Sequence, residues 1–418
     1  MKKSLILAAA LIFMAAVVLY NPEDSNAMPG FARQTGMSCT TCHYQHFPSL
    51  NPFGRAFKSS GYTTTGAQSM IEDEILSLPV TLNASLVSKI RYQKRNGESA
   101  TGSAGALNKG QTQFPDEGSI LIGGRAGEHI GFLLETQIID NTAPAFASFK
   151  MPVVYGNEYK FLVIPFKTDS QGVSYGFELL NTGALRLMRP MEHRTETSAQ
   201  QYIGTASGAT GAAFVVAHSM FFANYTMWSP TAGTNSTGPH INYVRLAATP
   251  TVGGWDLGAG LQWWSGTSTE PEATAGAGPT RTRAKALAFD VQAQGDAGPV
   301  PVGVYLTYAK ADKSKSGRIA NMYNASTNRA KSAWTLSAEA GVIPHKLAVQ
   351  AAYRAGKNGD AANTGKDKDN ATTFGLNYSL AQNVDLQLNH SWYTGNANKG
   401  NLRASGNMLT TLMLFAAF

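Results

Sequence analysis

From Leu78 to its end the chain alternates apolar and polar residues with a period of two. Leu78, Val80, Leu82, Ala84, Leu86, Ile90 and Tyr92 are apolar, and Thr81, Asn83, Ser85, Lys89 and Arg91 lie between them. Successive side chains of an extended strand point to opposite faces, so such a run has one apolar and one polar face. The pattern recurs in Ile130, Phe132, Leu134 and Ile138, in Val173, Tyr175, Phe177 and Leu179, and in Trp255, Leu257, Ala259, Leu261 and Trp263. It continues in Val302, Val304, Leu306 and Tyr308, in Leu347, Val349, Ala351 and Tyr353, and in Phe374, Leu376, Tyr378 and Leu380. Val384, Leu386, Leu388 and Trp392 follow.

The links between these runs come in two kinds. Short ones fall near Gly127–Glu128, Gly156–Glu158, Pro250–Gly254, Gly295–Pro299, Ile343–His345 and Ala381–Asn383. Long polar ones fall at Lys94–Glu117, Ser229–His240, Ser265–Arg283, Ala311–Lys331, Ala355–Asn370 and Gly395–Asn407. The two kinds mostly alternate, as in outer-membrane barrels with short periplasmic turns and long external loops. The pattern predicts an all-β chain, a transmembrane antiparallel β-barrel of about 16 strands within a range of about 14 to 18. Asn181–Gly211 breaks the alternation as a long link where a short turn is due. It is either an inserted segment or two further strands. The last run, Met408 to Phe418, ends on a C-terminal Phe like the insertion signal of bacterial barrels. Polar residues such as Lys89, Arg91, Glu135 and Glu178 are expected to face the lumen. A soluble β-sandwich would show shorter, less regular alternation.

Composition supports this reading. Charged residues are 15% of 418, against about 25% in ordinary soluble domains. The net charge of +7 is not gathered into a basic patch with interleaved aromatics, so nucleic acid is not an expected partner. The start of the chain reads as an export signal over residues 1–27. Lys2 and Lys3 are basic, Leu5 to Tyr20 are apolar, and Ser25-Asn26-Ala27 has the small-x-small form of a cleavage site.

Residues 28–76 form a separate block ahead of the barrel at 77–418. The block contains Cys39-Thr40-Thr41-Cys42-His43, and its two cysteines are the only ones in the chain. Cys-x-x-Cys-His is the attachment signature of a c-type haem. Two thiols bond to the porphyrin vinyls, and His43 then lies against one haem face as the proximal iron ligand. A thioredoxin-like site would need a βαβ pattern, and a zinc site a second ligand pair; neither is visible. The expected cofactor is one covalently bound haem c. The sixth ligand stays open among His46, Met37 and Met70. Phe31, Phe47, Leu50, Phe53 and Phe57 are candidates to cover the porphyrin, and Arg33, Arg55 and Lys58 to meet its propionates. Glu72-Asp73-Glu74 is an acidic cluster that reads as a solvated linker. So small a block has little core of its own, and it is expected to plug the lumen.

Several residues carry a family resemblance. Phe31-Ala32-Arg33-Gln34-Thr35-Gly36, the haem motif, Gln45-His46-Phe47-Pro48, Leu50-Asn51, Phe53-Gly54-Arg55, Phe57-Lys58 and Gly61-Tyr62-Thr63 resemble the N-terminus of the fused monohaem cytochrome–porin family. These are outer-membrane iron oxidases of iron-oxidising bacteria. The resemblance implies an Fe(II):cytochrome c oxidoreductase without acid/base chemistry. Extracellular Fe(II) would be oxidised at the cell surface, and the electron would pass through the haem to a periplasmic c-type cytochrome. It carries over Cys39, Cys42 and His43 and gives no residue for an iron site. The alternatives are a haem-plugged or redox-gated porin, and an electron conduit for another external donor or acceptor.

Overall fold

The computed structural model describes residues 30–66, 68–73, 77–96, 108–138, 145–182, 198–231, 238–270, 280–359, 367–381, 383–397 and 407–418. The expected export signal lies outside the described residues.

The wall runs β3 (Ala84–Arg95), β4 (Gln111–Gly127), β5 (Ile130–Gln137), β6 (Ala145–Lys150), β7 (Val153–Tyr155), β8 (Lys160–Thr168), β9 (Ala209–His218), β10 (Phe221–Ser229) and β11 (Ile241–Ala248). It continues through β12 (Thr251–Val252), β13 (Trp255–Glu270), β14 (Thr280–Ala297), β15 (Val300–Ala311), β16 (Lys331–Ile343), β17 (Leu347–Lys357), β18 (Lys368–Ala381), β19 (Val384–Thr394) and β20 (Met408–Ala417). Each strand is antiparallel to its neighbours, and β20 pairs back onto β3, Thr411 opposite Gln93, to close the barrel. Pro152 separates β6 from β7, and Pro250 separates β11 from β12. Proline lacks the N–H a ladder needs, so each pair is one stave with a break. The result is a closed antiparallel barrel of 16 strands.

The period of two has the predicted outcome. Leu261 and Trp263 on β13 project outward, 43% and 50% exposed, while Gln262 between them points inward with no exposure. Leu287, Phe289 and Val291 on β14 likewise face out, and Asp290 and Gln292 face in. An apolar outer band with a polar lumen is the arrangement a bilayer requires. Closure leaves no strand edge for lipid to meet. Lys89 and Arg91 face the lumen as expected, both buried.

Ahead of the barrel lie α1 (Gly30–Thr35), α2 (Cys39–Cys42) and α3 (Pro52–Ser59). Two short strands, β1 (Met70–Glu72) and β2 (Ser77–Pro79), pair with each other and not with the barrel wall. The first strand of the barrel wall is thus the one that starts at Ala84. Glu72 and Asp73 are exposed, and Glu74 lies outside the described residues.

The expected strand at Val173–Leu179 does not exist. Val173–Tyr175 is a 3-10 turn, and the chain from 169 to 182 lies inside the barrel. Phe177, Leu179 and Leu180 pack on an apolar inner stretch of wall made by Leu162, Ile164, Val215 and Phe222. Residues 172–182 are buried continuously rather than at alternate positions, so the period of two in this stretch does not mark a strand face. The link 169–208, between β8 and β9, is then a long link in its proper place. Among its described residues, 169–182 and 198–208, there is no further strand; they include α4 (Ala199–Ile203). Ile203 joins Trp228, Tyr243, Trp264 and Tyr323 in a lumenal core. Small inward wall residues, including Ala284, Ala286, Ala288, Ala309 and Ala311, leave room for those rings.

Candidate functional site

The haem motif lies inside the barrel, at the mouth formed by the short turns. Anchors from six strands or their turns hold the segment there. Gly30 N–H donates to Ser85 Oγ on β3 (2.6 Å), and Gln34 Oε1 accepts from the Arg125 backbone on β4 (3.1 Å). Arg55 meets Asp256 on β13 in a two-pronged ion pair (2.6 and 2.5 Å). Tyr44 Oη donates to the Gly295 carbonyl on β14 (3.1 Å), and Gln45 Oε1 accepts from His345 in the β16–β17 turn (3.2 Å). His46 Nε2 lies 2.9 Å from the Gln350 amide on β17 and 3.2 Å from Glu339 on β16. A segment too small for its own core thus borrows the inner wall as its second layer.

Cys39 and Cys42 stand at the two ends of the single turn of α2, half-buried and not joined by a disulfide. Burial, and then the neighbouring Cys39, push the Cys42 thiol above its ordinary pKa. Asn51 caps α3 by accepting from Gly54 N–H (2.9 Å), and Pro52 starts the helix where no N–H is needed. The start of α3 comes so close to the motif that a Cβ on Gly54 would lie 2.2 Å from the Cys42 carbonyl oxygen. Only glycine fits that approach. His43 Nδ1 sits 3.1 Å from the Ser49 carbonyl. A metal-binding histidine is commonly oriented by such a bond at its other nitrogen.

Cys39, Cys42 and His43 all line one cavity of about 860 Å³. Phe31, Met37, Phe47, Leu50 and Phe57 line it as well, with Leu121 and Leu133 from the wall. Two adjacent thiols, an oriented imidazole and an apolar cavity of this size fit a covalently held haem. The cavity continues past Glu117, Glu135 and Lys150 to Asp169, Gln171 and Gln201 at the inward-folded link.

The structure separates the other candidates. His46 has both ring nitrogens engaged, Nδ1 at 2.8 Å from the Phe47 carbonyl and Nε2 toward the wall. It also borders the cavity, but these bonds turn its ring nitrogens to the segment's own backbone and the wall, where it acts as an anchor. Burial acts to lower its pKa, but the hydrogen bond and charge of Glu339, with Asp385 beyond, outweigh this and raise it. Met37 borders the cavity; Met70, on β1, does not. Arg55 is committed to Asp256, so the expectation that it meets a propionate is corrected. Lys58 borders the cavity and Arg33 does not. Phe53 is 41% exposed and also lies off the cavity. Lys89 and Lys150, cations on the cavity wall, come from barrel strands far along the chain and show no signal near the motif. Glu178 faces the lumen as expected, but from the inward link; it binds Arg245 (2.9 Å), which also binds Asp290 (2.6 Å).

No protein-family model matches the chain, and no curated protein matches it significantly. Among solved structures it is similar to OmpT, an outer membrane protein of Vibrio cholerae, in its trimer form. That match has 13% identity, 81% of this chain, 99% of the other and a TM-score of 0.50. Salmonella typhi OmpF, solved with daunomycin, gives 11% identity, 84% and 100% coverage and a TM-score of 0.49. A mutant Rh. blastica porin gives 14%, 81%, 100% and 0.47. The fold is that of a porin-like outer-membrane barrel. The likeness concerns the fold alone.

Proposed function

We propose that this chain is an outer-membrane cytochrome that takes one electron from extracellular Fe(II) and delivers it to a periplasmic c-type cytochrome. Cys39 and Cys42 would hold a single haem c, with His43 on its proximal face. Haem c supplies one-electron redox chemistry whose potential follows axial ligation, burial and hydrogen bonding. The observation that carries the reading is the position of the haem motif: inside a porin-like barrel, lining a cavity that reaches from the short-turn mouth to the inward link. In barrels of this kind the short turns are periplasmic. A donor entering from the loop side and an acceptor on the turn side could then both approach one redox centre. Of the three candidates for the sixth ligand, Met37 and His46 border the cavity that His43 lines and Met70 does not; Met37 fits best, because the His46 ring nitrogens are engaged by Phe47, Gln350 and Glu339.

The chain's own residues have three tasks in this scheme. The wall anchors hold the segment fixed in the mouth. Phe31, Leu50 and Phe57, which line the cavity, would keep water from the cofactor. Lys58 and Lys150 would offer cations for its carboxylates, whereas Lys89 is paired with Glu117 at 2.7 Å. A redox-gated porin would need a plug that swings aside, and the buried pairs Arg55–Asp256 and His46–Glu339 oppose such motion. Anaerobic mixing of the oxidised holoprotein with Fe(II) tests the proposal; reduction of the haem bands is expected. Swelling of liposomes carrying the barrel in small solutes tests the porin alternative.

A further inference from the structure

The hairpin that carries His43 is completed by a side chain from the opposite part of the molecule. His43 pairs with Leu50 as an antiparallel bridge. Tyr44 N–H donates to the Ser49 carbonyl (2.8 Å) and Asn51 N–H to the Cys42 carbonyl (3.1 Å). Leu50 then turns its own N–H and C=O the other way. Asn181 takes both: Leu50 N–H donates to Asn181 Oδ1 at 2.7 Å, and Asn181 Nδ2 donates to the Leu50 carbonyl at 2.9 Å. A carboxamide presents one donor and one acceptor, like a peptide group. Asn181 thus stands in for one residue of a missing third strand.

Asn181 is itself held firmly. It is 3% exposed, and its N–H donates to Gln292 Oε1 on β14 (2.8 Å). Thr182 Oγ1 donates to Asp290, and Glu178 is clamped by Arg245. A rigid line therefore runs from the barrel wall through residues 178–182 to Leu50. Ser49, whose carbonyl receives the His43 ring, is the residue before Leu50. Peptide planarity ties the position of that carbonyl to the Leu50 nitrogen.

We propose that Asn181 is a positioning residue for His43, fixing the Ser49 carbonyl against Nδ1 and thereby setting the reduction potential of the site. This rests on the haem reading above. An acceptor at the far nitrogen makes an imidazole ligand more basic, and a more basic ligand favours the ferric state. Loosening the contact should raise the potential.

The test is a redox titration of the full-length holoprotein in detergent. Asn181→Leu keeps the shape and removes both bonds to Leu50. At one fixed ambient potential it should lower the ferric-to-ferrous ratio by roughly threefold, with covalent haem retained. Gln34→Leu, which loosens the segment at its other end, should lower thermal stability and leave the ratio unchanged. An unchanged ratio in Asn181→Leu, or an equal shift in Gln34→Leu, overturns the inference. Should Asn181→Leu not assemble, Gln292→Met decides: a smaller shift in the same direction supports it, and no shift overturns it. Wild-type protein without covalent haem would instead defeat the haem reading.

Discussion

Arg55 and Asp256 join the haem segment to the barrel by two parallel bonds of 2.6 and 2.5 Å, with both side chains less than 10% exposed. The planar guanidinium matches a carboxylate at both oxygens, which a lysine would not. Cutting one partner of a buried pair leaves the other charge uncompensated and costs about 3–5 kcal/mol, whereas replacing both by apolar groups is often nearly neutral. Arg55→Leu or Asp256→Leu should therefore lower the thermal midpoint and expose residues 30–66 to protease. The double variant should recover much of that loss. Equal resistance to protease in all three variants would show that the pair does not hold the segment.

The second prediction concerns His43. His43→Ala should leave the thioether bonds at Cys39 and Cys42 formed but remove the low-spin haem spectrum. Cys42→Ser should cut covalent haem without changing barrel assembly, because the wall closes through strands alone. Pyridine haemochrome absorbance and heat-modified gel migration read the two effects separately. An unchanged spectrum in His43→Ala would remove the histidine from the iron.

The sixth ligand gives a third. Met37 shares the cavity with His43; Met70 does not. Met37→Ala should shift the haem spectrum and lower its potential, because a thioether favours the reduced state. Met70→Ala should do neither, and His46→Gln should weaken the seating of the segment without replacing a ligand. A ligand-resolving spectrum of the four proteins distinguishes these outcomes; a change only in Met70→Ala would reverse the assignment.

The fourth follows from His46. Its folded-state pKa is raised above the ordinary value of about 6.5 by Glu339 and Asp385 against the effect of burial. A group with a raised folded pKa adds stability that is complete below the unfolded pKa and is lost as pH rises through the folded one. The haem segment should thus be most firmly seated below about pH 6.5 and loosen on the alkaline side. Protease susceptibility of residues 30–66 measured against pH checks this. His46→Gln should flatten the profile; a profile that loosens toward acid instead would contradict the sign.

Much of the wall was legible because a barrel strand is amphipathic on a period that sequence displays directly. Leu261, Gln262 and Trp263 show it without any tertiary knowledge. The inward link was misread for the same reason. Val173, Tyr175, Phe177 and Leu179 alternate in sequence, but the stretch is buried on both faces inside the barrel, and sequence does not reveal whether an apolar residue meets lipid or the barrel's own lining. Cys39, Cys42 and His43 stand out in the sequence because haem attachment would demand contiguity, and the structure places all three on one cavity. Asp256, Glu339, Gln350 and Asn181 do not stand out. Each meets the haem segment across more than 100 residues of chain, and an inward polar residue on a strand looks the same whether it faces water or Arg55. Arg55 was misassigned accordingly: a cation near a haem motif suggests propionates until its wall partner is known.

The most direct measurement is the anaerobic reaction of oxidised, haem-loaded protein in liposomes with Fe(II) supplied only on the loop side. The account predicts growth of the reduced haem bands, followed by reduction of a c-type cytochrome enclosed on the turn side. Haem bands that stay oxidised in excess Fe(II), in protein shown to carry covalent haem and to accept electrons from dithionite, would contradict it.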